Sequence, residues 1–86
     1  PKQAQSLLEL ANIEFAKQNM ARAKGYMDRY TAVGSESARS LWLGIQLAYE
    51  QGDRDALASL GLKLERLFPD SEETVQYLNK RKQWRK

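Results

Sequence analysis

The sequence predicts an all-α fold: antiparallel helix hairpins stacked as a short solenoid, with two repeats followed by a C-terminal capping helix. Three observations predict it. Slid 34 residues along itself, the 86-residue chain places Leu7 on Leu41, Ile13 on Leu47, Phe15 on Tyr49, Tyr26 on Leu60 and Tyr30 on Leu64. A fixed period in this range marks stacked units, each burying its apolar face against the next. Apolar residues also recur at spacings of three and four, and no alternating strand pattern competes. Lastly, Gly, Pro and short polar residues stand where helices must start and stop.

The elements follow in order. Residues 4–18 place Leu7, Leu10, Ala11 and Phe15 near one face of a first helix. Asn19 is the expected cap of a second helix over 20–33, with Ala23, Met27, Tyr30 and Val33 turned inward. Gly34 is expected to end it in the left-handed conformation that glycine adopts without strain. Ser35 or Ser37 can cap a third helix over 37–51. Gly52-Asp53 is the sharpest punctuation: Gly52 for the end of the third helix, Asp53 for the cap of the fourth, over 53–68. Leu57, Leu60, Leu64, Leu67 and Phe68 form its apolar stripe. Pro69 stops it, because the residue before a proline is pushed out of helical geometry. Asp70 with Glu73 reads as a capping box opening a fifth helix from about residue 71. That helix is apolar only at Val75, Tyr77, Leu78 and Trp84, which suits a cap that shields the last repeat. The very short turns make neighbouring helices antiparallel.

One domain spans residues 1–86: repeat one over 4–37, repeat two over 38–71, and a capping helix with a basic tail over 72–86. Solenoids usually need about three repeats or more. Two repeats and a cap, starting at Pro1, are expected to be a piece of a longer repeat protein.

Composition narrows the function. Cys and His are both absent. There is no disulfide framework or thiolate metal site, and the commonest general base is missing. Asp53 and Asp55 stand at a helix start, and Glu72 and Glu73 in a first turn, where caps and the helix dipole account for them. No nucleophile–base pair and no phosphate-binding glycine loop occurs. No enzyme activity, cofactor, metal or small-molecule substrate is expected. No apolar run approaches the ~20 residues of a membrane span, and the start does not resemble a signal peptide. The net charge of +3 is uneven: Lys80, Arg81, Lys82, Arg85 and Lys86 supply five of fourteen basic residues. Residues 1–79 carry nine basic against eleven acidic side chains. A solvated end is the simpler reading of this tail. Binding of nucleic acid or anionic lipid around Trp84 is the alternative, although no base-reading motif accompanies it and nucleic acid is not the expected partner.

Residues 38–71, ARSLWLGIQLAYEQGDRDALASLGLKLERLFPDS, combine an early aromatic, Leu-Gly, Tyr, Gln-Gly-Asp and a terminal Pro. They resemble the tetratricopeptide repeat (TPR), and residues 4–37 resemble a second copy. The copies differ instructively. Leu10-Ala11 becomes Gly44-Ile45, and Ala23 with Met27 becomes Leu57 with Gly61. Large and small residues exchange places, which cores tolerate better than a net volume change. Gly44 and Gly61 are therefore expected where helices approach closely. The Leu-Gly-Ile, Gly-Asp-Arg-Asp-Ala and Leu-Phe-Pro-Asp-Ser elements are also similar to the C-terminal repeats of the type IV pilus biogenesis proteins called PilF or PilW. That resemblance implies a scaffold or pilotin at the periplasmic face of the outer membrane, lipid-anchored outside this chain, that helps the pilus secretin assemble or reach its membrane. The competing readings are a generic repeat adaptor or co-chaperone-like scaffold, cytoplasmic if the pilus resemblance fails.

In the repeat family the first helix of each repeat lines a concave groove. Carried over, this implies a partner-binding set of Asn12, Phe15, Arg39, Trp42, Gln46 and Tyr49, with Gln5, Leu8, Ala16 and Glu50 beside them and Gln76 and Lys80 added by the cap. Asn12 and Gln46, one repeat apart, suit two hydrogen bonds to a peptide backbone. Trp42 and Tyr49 are the side-chain types that dominate interface energetics, although aromatics at helical spacing are more often core. The expected partner is a protein or peptide segment, with homodimerisation through exposed repeat faces as a further expectation.

Overall fold

The protein's computed structural model describes residues 2–84. Arg85 and Lys86 of the basic tail lie outside the described residues, as does Pro1. Among the described residues there are five helices and no strand: α1 Lys2–Ala16, α2 Met20–Val33, α3 Ala38–Gln51, α4 Arg54–Leu67 and α5 Glu72–Trp84. The fold is the all-α TPR arrangement. α1 pairs with α2 and α3 with α4 as hairpins, α3 also packs on α2, and α5 packs on both α3 and α4.

α3 is the centre of the stack. Leu43 and Leu47 on one side enter a cluster with Leu7, Leu8, Ala11, Ala23, Met27 and Tyr30 of the first hairpin. Leu41 and Ile45 on the other side enter a second cluster with Leu64 and Tyr77. A helix buried on two sides must be apolar around most of its circumference, and the run Leu41–Ala48 is. Leu10 and Val33, expected inward, are exposed instead. Val33 is the last residue of α2, and Tyr30 already closes that end of the hairpin.

The caps explain the turns, with several differences from expectation. Gly52 is left-handed at φ 71°, and Asp53 accepts a hydrogen bond from the Ala56 amide at 3.0 Å, both as the sequence suggests. Ser37 caps α3 in a reciprocal box with Ser40. Gly34 is not left-handed: its φ is −107°. Glycine is needed there for space, since a Cβ would lie 2.7 Å from the Tyr30 ring, whose hydroxyl donates to the Ser35 carbonyl. Asn19 occupies the N-cap of α2 without capping it. Its amide instead donates to Glu14 at 2.8 Å, satisfying a carboxylate buried to 7% exposure. α1 ends at Ala16 rather than 18, and Gln18 takes a left-handed φ of 67°. The Asn19 and Asp53 amides reach back to the carbonyls of Glu14 and Ala48, so Gln18 and Gly52 perform the same turn one repeat apart.

The start of α5 also differs. Ser71, not Asp70, accepts from the Thr74 amide at 3.1 Å. The buried Thr74 hydroxyl bonds the Phe68 carbonyl that closes α4. Ser71 and Thr74 stand 34 residues after Ser37 and Ser40. The repeat register therefore does not stop at Ser71: α5 is in register with α3, and Tyr77 takes the place of Leu43. This gives the exchanged residues their meaning. In repeat one, Met27 packs in the cluster that Leu43 enters. One repeat on, Gly61 leaves a gap and Tyr77 fills it, with ring atom Cζ only 2.5 Å from where a Gly61 Cβ would stand. Gly44 lies against Leu60 of α4, as expected for a close approach.

Candidate protein-recognition face

The face begins with two pairs of aromatics, each seven residues apart. Two helical turns return a side chain to nearly the same direction. Trp42 and Tyr49 therefore share one line along α3, and Tyr77 and Trp84 share one along α5. The helices bring these lines together. Trp42 meets Tyr77 edge-on with centroids 6.3 Å apart. Trp84 lies over Trp42 at 6.4 Å and 24°, and over Tyr49 at 4.1 Å and 13°. Edge-to-face and offset-stacked pairs satisfy the quadrupoles of aromatic rings. The Arg81 guanidinium sits 5.4 Å from the Tyr77 centroid and reaches Glu65 of α4 at 3.2 Å.

The expected site residues fall into distinct environments. Tyr49 is 42% exposed, and Trp42 and Gln46 are half-buried on the same helix. Asn12 is half-buried on α1. Phe15 packs against the first core cluster and is only partly exposed. Arg39 is exposed and bridges α3 to α1 through a 2.8 Å ion pair with Glu9. Leu8, in register with Trp42, is buried to 6% and belongs to the core rather than to a groove. Gln5, Ala16, Glu50, Gln76 and Lys80 are exposed.

Trp42 thus has a packing role as well as an exposed edge, so its truncation disturbs α5 as well as any partner. Trp84, expected among the few apolar residues of the capping helix, does pack on the last repeat, and its ring closes the α3 face rather than serving a basic tail. The signal available was its spacing of seven from Tyr77, matching Trp42 and Tyr49.

A second concavity lies over the opposite part of α3. It is floored by Met27, Leu41, Gly44 and Leu47 and holds about 390 Å³ between α2 and α4. No group of acidic residues among the described ones could hold a metal ion. No helix among them is long and apolar enough to cross a membrane. The aromatic face therefore offers flat apolar rings on α3 and α5, with the Gln46 amide on α3 and the Arg39–Glu9 ion pair at the junction with α1.

Comparison with known proteins gives a consistent result. No family model matches the chain. The type IV pilus assembly protein PilF of Pseudomonas aeruginosa is 41% identical over 70 residues, covering 81% of this chain. The chain spans only 28% of the length of that curated relative. A solved structure described as the functional characterization of Pseudomonas aeruginosa pilF superposes with a TM-score of 0.86 at 38% identity. It covers 90% of this chain, which in turn covers 35% of that one.

Proposed function

We infer, for a chain that resembles the PilF family of type IV pilus proteins in both sequence and fold, that it is a protein-interaction scaffold in type IV pilus biogenesis. The similarity to PilF over 81% of the chain carries the reading. The α3 face supplies its physical means. Its partner is a segment of the pilus secretin, and its task is to help the secretin assemble or reach the outer membrane. It works on the periplasmic side, held there by a lipid anchor outside this chain.

The mechanism is rigid display. α3 is packed on both sides, so its outward residues are held in place before a partner arrives, which lowers the ordering cost of binding. Tyr49 and the exposed edge of Trp42 bury apolar side chains. Asn12 and Gln46 each offer an amide donor and acceptor to an extended backbone. Arg39, exposed at the rim, contributes orientation more than affinity.

Deleting the coding region of this chain in a piliated strain tests the reading. Fewer assembled secretin multimers at the outer membrane are expected. Secretin unchanged in amount, assembly and location overturns the proposal.

A further inference from the structure

Trp84 is the part of the aromatic face that the repeat does not explain. The 34-residue register pairs it with Glu50, not with an aromatic. α5 is anchored further back, by Tyr77 at 4% exposure. Leu78 packs beside it on the second core cluster, and beyond Leu78 the helix is held by the exposed Arg81–Glu65 pair and by the Trp84 ring itself. Exposed pairs of this kind hold weakly. The Trp84 ring is nearly parallel to both Tyr49 and Trp42, at 13° and 24°. Tyr49 and Trp42 therefore shape a slot for one flat ring, and the chain fills that slot with its own Trp84.

We propose that Trp84 is a displaceable occupant of this slot, and that the partner engages the α3 face by inserting an aromatic side chain in its place. This rests on reading the α3 face as a recognition surface, and it names the chemistry of the partner: a peptide segment bearing an aromatic residue. A ring tethered through α5 competes at an effective concentration on the order of millimolar. A partner with a lone aromatic is therefore excluded, and one whose further contacts compensate is admitted. The device filters partners without a second site.

The test uses the full chain and its own ring as probe. The chain has two Trp residues, so Trp84→Ala leaves the Trp42 indole as a single reporter. A synthetic peptide of residues 79–86 is titrated to millimolar concentration into isotope-labelled wild type and Trp84→Ala, followed by NMR. Resonances of Trp42 and Tyr49 in Trp84→Ala are expected to shift, with an apparent affinity at least ~2-fold weaker in wild type, where a tethered ring at millimolar effective concentration competes with a peptide of millimolar Kd. The same peptide with Ala for Trp should shift neither. Trp84→Leu, which keeps an apolar side chain on α5, is titrated in parallel and should respond as Trp84→Ala does. Equal responses of wild type and variants, no response in the variants, or a response to the Trp-free peptide overturns the proposal. Loss of the helical circular dichroism signal in both variants overturns it too, because a displaceable ring is not required for folding. No pilus component enters this assay, so its failure is separate from failure of the secretin deletion test.

Discussion

Replacing Gly61 by Ala sets two physical effects against each other. Gly61 is buried in the middle of α4 and needs no unusual backbone angle, so helix propensity alone favours Ala by about 1 kcal/mol. Sterics oppose this. The new methyl would stand 2.5 Å from Cζ and 3.1 Å from Cε2 of Tyr77, with the hydroxyl nearer still. Tyr77 has little room to retreat, being 4% exposed, met by the Trp42 ring and overlaid by Arg81. Overpacking a site of this kind costs about 1–3 kcal/mol, and a boxed-in aromatic belongs in the upper part of that range. The net expectation is a loss of about 1–2 kcal/mol. In a domain of this size that lowers Tm by roughly 5–15 °C, measured by circular dichroism at 222 nm. Tyr77→Phe removes the nearest atom, so a double-mutant cycle should show the two changes coupled, with Gly61→Ala less harmful in the Phe background. A Tm that rises on Gly61→Ala would refute the claim that the repeat exchanged Met27 for a slot filled by Tyr77.

Three further outcomes are expected. Gln18→Gly should stabilise the chain by about 0.5–1 kcal/mol in urea unfolding, because Gln18 holds a left-handed φ of 67° that glycine adopts freely, whereas Gln18→Ala should bring no gain. Asp53→Ala should cost ~1 kcal/mol by leaving the Ala56 amide uncapped, and Thr74→Val about 0.5–1.5 kcal/mol by removing one of the hydrogen bonds to the Phe68 carbonyl, which keeps those from Ser71; thermal melts check both. Raising NaCl to about 1 M should change stability by less than about 1 kcal/mol, since pairs such as Arg39–Glu9 and Lys63–Glu36 are solvent-exposed.

Much of the fold was legible because the repeat states it twice. Gly52-Asp53 is read correctly from residue type alone, since a left-handed glycine and an Asp cap have few alternatives. Gln18 is unreadable alone, yet overlaying it on Gly52 exposes its conformation. Gly34 misleads because glycine serves two needs, positive φ and empty space. Only the position of the Tyr30 ring tells which one applies. Asp70 reads as the cap of α5 by residue type, whereas the match of Ser71 to Ser37 marks the true one. The proposed face is harder to read. Arg39, Gln46 and Tyr49 keep polar or exposed positions, but Leu8 shows that repeat register does not guarantee exposure. Trp84 is legible as an apolar residue of the capping helix, but its stacking on Tyr49 and Trp42 is not, because charge runs and spacing say nothing about which way one ring turns.

The proposed function requires that the α3 face bind the pilus secretin. Calorimetric titration of the chain with purified secretin tests it most directly, using Gln46→Ala and Tyr49→Ala in place of Trp42, with Trp84→Ala as the control for the ring that Tyr49 also carries. Binding by the wild type, weakened roughly 10-fold or more by Tyr49→Ala with helical content retained, is the predicted result. Absence of binding, or equal affinity for wild type and both variants, contradicts it.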